Sequence, residues 1–261
     1  MDSLKKNIFT TVAKVIAFVC KHPLIYVSET DIHALMISEL FKIDKLNPFI
    51  DQNVGLYDTG MTIGCNNRTR KPSSAKYKTM LVHKEYGHNQ FRFSRSDIVI
   101  FDPAQFEDID SMKLVSNKNR GKFLECNLKS RGYLTPRFIF EFGTETVASS
   151  FSNHFKDDLK KVGESGDTGL LIHIQRFFAK SKISEETLKP YKKMTRDIWW
   201  SSDTKRDKIK PLVFLIKIGN ERQPIGSKID MFNPYGTDKM KSWHNVSIAK
   251  VADEVGRLLV P

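Results

Sequence analysis

The segment PRFIFEFG at 136–143 is followed by Val147, Phe151, Phe155, Leu159 and Val162, and then by GLLIHIQRFF at 169–178. The flanking stretches have the aromatic and β-branched make-up of buried strands. Between them, apolar residues recur every three or four positions until KKVGESGDTG, which is the pattern of one helix face and its stop. A strand, a helix and a strand in this order form a crossover unit. Such a unit pairs its strands in parallel and lays the helix on one face of the sheet. An all-helical or purely antiparallel fold is therefore excluded at the centre of the chain.

The surroundings extend the same design. TMLVHKEYG and FRFSRSDIVIFD read as two strands that join FIFEFG in a meander at one side of the sheet, and PLVFLIKIG reads as a further strand. Residues 3–21 place Leu4, Ile8, Val12, Val15, Ile16 and Val19 at helical spacing, with Ser3 as cap and Pro23 beyond the end. SETDIHALMISELFKI opens with a capping-box-like Ser28 and Asp31 and carries Ile32, Leu35, Met36, Leu40 and Phe41 on one face. ISEETLKPYKKMTRDIWW reads as helical despite Pro190, and SIAKVADEVGRLL as a closing helix capped by Ser247. The expected fold is α/β, a mixed central β-sheet flanked by helices on both faces, with an N-terminal helical layer. A single domain is expected over 1–261, with N-terminal helices at 1–50, a core at 79–178 and a C-terminal elaboration at 179–261.

The chain has 42 Lys and Arg against 30 Asp and Glu, a net charge of +12, which points to a polyanionic partner. Three widely spaced cysteines, Cys20, Cys65 and Cys126, suit neither a disulfide framework nor a zinc knuckle and suggest a reducing, cytoplasmic setting. No stretch reaches the ~20 apolar residues of a membrane span, so no membrane partner is expected. Neither GxxxxGK[ST] nor GxGxxG occurs, which leaves P-loop hydrolysis and dinucleotide binding unsupported.

Glu141 stands in the middle of a strand that reads as buried, and a buried charge needs a partner. Arg95 or Arg137 could form an ion pair with it. Asp97 offers another solution: it opens DIVIFD, and an antiparallel pairing of its strand with FIFEFG would bring both carboxylates to one end of the sheet. Converging carboxylates without an excess of His or Cys suit Mg²⁺ or Mn²⁺. Such a cation polarises a phosphodiester and activates water. Glu39 and Glu29 on the second helix could each add a ligand, as could Glu85 if its strand lies beside that of Asp97.

A helix with acidic residues, a β-hairpin, RSDIVIFD, FIFEFG, a helix with DDLKK and the strand GLLIHI together resemble the PD-(D/E)XK (restriction-endonuclease-like) nuclease superfamily over roughly residues 28–178. The resemblance implies a Mg²⁺-dependent endonuclease with Asp97 and Glu141 as metal ligands and catalytic residues. Ser96 stands where the family often has Pro, and Gly143 stands where it has Lys. The Lys function is expected on the following helix at Lys156 or Lys160, or is replaced by Glu145 as ligand or weak base, or is absent from a fold kept for binding. The functions that follow are hydrolysis of DNA, a catalytically inactive nucleic-acid-binding or assembly protein, or an RNA-directed nuclease. A homodimer is left open.

Two basic stretches flank the carboxylates in sequence. Arg68, Arg70, Lys71, Lys76 and Lys78 lie in an expected loop, and Lys118, Arg120, Lys122, Lys129 and Arg131 in another. Flexible cations of this kind grip phosphates, DNA ahead of RNA here, without reading sequence. His83 and His88 in HKEYGH lack the partner pair of a zinc site. His173 and Gln175 read as core residues, with Gln175 placed to reach a phosphate. Tyr191, Trp199 and Trp200 could stack on unpaired bases, although core packing is the commoner use.

Overall fold

The structure is a computed structural model that describes residues 2–47, 57–58, 76–77, 81–87, 95–102, 136–144, 148–163, 167–177, 193, 208–218, 226–232, 241–244 and 247–259. Helix α1 spans Ser3–Lys21 and α2 spans Glu29–Leu40. Two short strands, β1 (Tyr57–Asp58) and β2 (Lys76–Tyr77), pair with each other. A seven-stranded sheet follows: β3 (Val82–Gly87), β4 (Arg95–Ile100), β5 (Phe138–Thr144), β6 (Thr168–Phe177), β7 (Ile209–Ile218), β8 (Gly226–Phe232) and β9 (Lys241–His244), in that spatial order. Helix α3 (Ala148–Gly163) joins β5 to β6, and α4 (Ile248–Leu259) closes the described chain.

The sheet is mixed, as expected. β3, β4 and β5 form an antiparallel meander, β5, β6 and β7 run parallel, and β8 and β9 return antiparallel. β6 and β7 sit at the centre, buried on both faces, which is why LLIHI and PLVFLI read as continuous apolar runs without alternation. Phe9 packs on Phe138 and His33 on Phe142. Phe151 and Phe155 pack on His173. Because side chains alternate along a strand, and His173 pairs with Gly143 rather than with Phe142, these contacts lie on opposite faces. Helices α1 and α2 thus cover one face and α3 the other.

Helix ends follow local chemistry. The α1 cap is Asp2 rather than the expected Ser3: its Oδ1 accepts from the Leu4 N–H at 3.0 Å, and its Oδ2 from Arg137 at 2.6 Å. At α2 the Ser28–Asp31 capping box forms as the sequence suggests. The inward face of α2 is Ile32, His33, Met36 and Leu40, with Leu35 and Phe41 half-buried. Gly169 opens β6 against the end of α3, where a Cβ would come within 2.4 Å of the Val162 carbonyl oxygen. No helix among the described residues is long and apolar enough to cross a membrane.

Candidate functional site

The site forms where β4 and β5 part. Their pairing sets Ile100 against Phe138, Val99 against Ile139 and Ile98 against Phe140, and one further step brings Asp97 level with Glu141. There the carboxylate takes over from the ladder: the Phe142 N–H donates to Asp97 Oδ2 at 2.7 Å. Asp97 is consequently wedged into the fork between the strands. Glu141, fully buried, meets α3.

Helix α2 approaches the same fork, and its start is held rigidly. The Arg176 guanidinium donates to the carbonyls of Pro23 and Tyr26, at 2.6 and 3.0 Å. Asp31 Oδ2 accepts from the Val27 and Ser28 N–H groups, each at 2.8 Å. These bonds set Glu29 as the first helical residue and His33 one turn later on the same face. His33 Nε2 lies 3.5 Å from Asp97 Oδ2 and 3.9 Å from Glu29 Oε1. The ring is buried, yet neither of its nitrogens has a hydrogen-bond partner among the described residues, which is costly unless a ligand supplies one. Donor atoms of Glu29, His33 and Asp97 fall within 4.8 Å of one another, a grouping that could hold a metal ion. Glu141 Oε1 is likewise buried without a partner among the described residues. A nitrogen among oxygens favours Mn²⁺ and its heavier neighbours over Mg²⁺.

From the other face α3 brings a cation. Lys161 Nζ donates to Glu141 Oε2 at 2.7 Å and to Asp158 Oδ1 at 2.9 Å. Asp158 Oδ2 also faces His173 Nε2 at 3.2 Å and His154 Nδ1 at 3.4 Å.

The electrostatics follow from crowding carboxylates in a place with little water. Burial, then the charge of Asp97, pushes Glu29 up to about 7. The same two causes raise Glu141 well above the usual carboxylate range, with Lys161 pulling the other way. Burial would also raise Asp158, but hydrogen bonds from His154 and His173 and the charges of His173 and Lys161 prevail and hold it well below that range. For Lys161, burial opposes the ammonium, yet the two carboxylates raise its pKa. Lys161 therefore stays protonated at neutral pH. Glu141 and Asp158 hold this ammonium between them, while Glu29 and Asp97 meet at His33 on the other side of the fork.

Asp97 and Glu141 are brought together as the sequence suggests, and Glu29 joins Asp97, but Glu39, Lys156 and Lys160 are placed differently. Lys156 is exposed, and Lys160, also exposed, lies 3.6 Å from Asp157. The lysine that reaches Glu141 is Lys161, because position 161 is one turn on from the buried Asp158 while 160 points outward. Glu39 pairs with Lys42 on the outer side of α2, away from the fork. The β3–β4 register pairs Lys84 with Ile98 and Tyr86 with Ser96, so Glu85 falls alongside Asp97; its side chain lies outside the described residues. Arg137, a possible ion-pair partner of Glu141, instead binds Asp2 and Asp167. Arg68, Arg70, Lys71, Lys78, Lys118, Arg120, Lys122, Lys129 and Arg131 lie outside the described residues, as do Glu145, His88, Tyr191, Trp199, Trp200 and the side chain of Lys76.

Neither His33 nor Lys161 stands out in the sequence. The signal for His33 was its spacing of four from Glu29 beside the inward Ile32, and that for Lys161 its spacing of three from an acidic residue on an otherwise apolar face. No protein-family model, no curated protein and no solved structure matches this chain.

Proposed function

We propose that the protein is a metal-dependent nuclease of the PD-(D/E)XK type, hydrolysing phosphodiester bonds in nucleic acid at the fork between β4 and β5. The observation that carries this reading is the Lys161 ammonium, 2.7 Å from Glu141. It supplies from α3 the cation that Gly143 cannot supply from β5. Asp97, His33 and Glu29, with Glu141, would hold the cation. A divalent ion bound there supplies Lewis acidity toward a phosphodiester.

The residues of the chain divide the remaining work. Lys161, kept protonated by Glu141 and Asp158, is unsuited to take a proton; it donates hydrogen bonds and offsets negative charge that develops on the phosphate. Glu141, with one oxygen on Lys161 and one free, couples the ammonium to the metal side of the site. The net charge of +12 supports a polyanionic substrate and does not choose between DNA and RNA.

The test is incubation with labelled double-stranded DNA, single-stranded DNA and RNA in Mn²⁺ or Mg²⁺, beside Asp97→Asn, Glu141→Gln and Lys161→Met. Cutting of at least one polymer by the wild type, lost in Asp97→Asn and Glu141→Gln and reduced to a residual rate in Lys161→Met, is the expected result. Cleavage that survives Glu141→Gln refutes the site. Binding of nucleic acid with no cleavage under any condition leaves the protein a binding fold instead.

A further inference from the structure

Gly143 and His173 are neighbours across the parallel β5–β6 pair. A Cβ placed on residue 143 would lie 2.3 Å from both Cε1 and Nδ1 of the His173 ring. The imidazole therefore fills the space any side chain at 143 would need, a lysine included. It cannot easily move, since it is fully buried with the Phe151 and Phe155 ring centroids 5.3 and 5.4 Å away. Its Nε2 faces Asp158 Oδ2, and a carboxylate can only accept, so this nitrogen carries the proton. Asp158 is buried in turn, and its second oxygen takes the Lys161 ammonium at 2.9 Å.

We propose that Asp158, braced by His173 in the space that Gly143 leaves open, is a positioning residue that holds the Lys161 ammonium against Glu141. The proposal rests on the nuclease reading above for its catalytic meaning. The physical need is clear from the side chain itself. A lysine side chain loses much rotamer freedom when fixed, and a single acceptor leaves its four-carbon stem free to swing. Asp158, at i−3 on the same helix face, gives Nζ a second, buried acceptor and so defines its place from two sides. His173 keeps that acceptor from turning away. His154, from the exposed face of α3, adds a further contact to the same oxygen.

Two measurements test this, one of them independent of catalysis. In the first, lysines are acetylated at trace level by acetic anhydride and quantified by mass spectrometry, with the exposed Lys156 and Lys160 as internal standards. Relative to them, Lys161 is expected to react about tenfold faster in Asp158→Asn and in Asp158→Ala than in the wild type, because removing a neighbouring carboxylate frees the amine from the ammonium form it holds. Asp158→Asn keeps the volume of the side chain, so the comparison survives if the alanine variant does not fold. Unchanged labelling of Lys161 overturns the proposal.

The second measurement is cleavage. Asp158→Asn is expected to lower kcat by about 10- to 100-fold with KM and Mn²⁺ affinity unchanged, and to have no further effect in a Lys161→Met background that retains residual activity. Equal losses in both backgrounds would mean that Asp158 acts independently of Lys161 and would also overturn the proposal. Faster Lys161 labelling in a protein that cuts no polymer would uphold the positioning and discard the nuclease reading, which separates the two failures.

Discussion

Replacing Glu29 by glutamine tests whether the carboxylates at the fork are arranged for a cation at the expense of stability. The ordinary glutamate value of 4.5 becomes about 7 at Glu29, through burial and the charge of Asp97. Raising a carboxyl by that much costs its ionised form about 3 kcal/mol, at ~1.4 kcal/mol per tenfold change in proton affinity. With 32% of the side chain in water, solvent screening reduces this to about 1–2 kcal/mol. The sign is fixed by linkage. A carboxyl whose pKa is higher in the folded state binds more protons there, so stability falls as pH rises from 4.5 through about 7. Glu29→Gln removes this loss. In EDTA at pH 8 the variant is expected to be more stable than the wild type by about 1–2 kcal/mol in urea unfolding, with the gap mostly closed at pH 5. Millimolar Mn²⁺ should then stabilise the wild type and do much less for the variant. A variant that is no more stable than the wild type at pH 8 in EDTA, or one that gains as much from Mn²⁺, would refute the reasoning.

Three further outcomes follow from the same geometry. His33→Ala should weaken Mn²⁺ binding measured by calorimetry by tenfold or more. It should change Mg²⁺ binding little, and an equal loss for both ions would remove the imidazole from the metal site. Phe138→Ala, which empties a fully buried position against Phe9, should cost about 3–5 kcal/mol in chemical denaturation, and a cost below about 1 kcal/mol would contradict the packing of α1 on β5. Gly169→Ala drives a methyl group into the Val162 carbonyl and should cost about 1–3 kcal/mol in the same measurement, while an unchanged midpoint would place α3 further from β6.

The crossover was legible because β5 and β6 lie inside the sheet, where both faces are apolar and the helix between them has one clear face. The last two strands were not. β8 buries Ile229 and Met231 between Lys228 and Asp230, a single short alternation in a polar stretch, and β9 is four residues long. β8 pairs with β7 and β9 with β8, contacts between segments that no local pattern reports. At the site, Asp97 and Glu141 could be read because carboxylates in strands are anomalous. His33 and Lys161 could not be singled out, because a histidine or lysine on a helix is ordinary until a neighbouring element gives it a partner. The register of β5 against β6 is what turns Gly143 from a gap in a motif into the place where His173 sits.

Similar carboxyl groups, brought within one pocket, have their proton affinities shifted in opposite directions. Asp158 receives hydrogen bonds from His154, His173 and Lys161, and these overcome its burial and keep it ionised. Glu141 is as deeply placed but faces the charge of Asp97, with Lys161 pulling the other way, and among the described residues Glu29 has no comparable ammonium. The environment thus drives their proton affinities apart, and groups separated in this way take different roles. A carboxylate that never gives up its charge is suited to hold a lysine in place. Glu29, whose proton affinity burial and the charge of Asp97 raise, is suited to exchange its proton for a metal, so metal affinity at this fork should rise with pH up to about 7. The helix from one face and the helix from the other therefore bring unlike chemistry to the same fork, a carboxyl and an imidazole from α2 and an ammonium from α3, with Glu141 touching the ammonium and Asp97 close to His33.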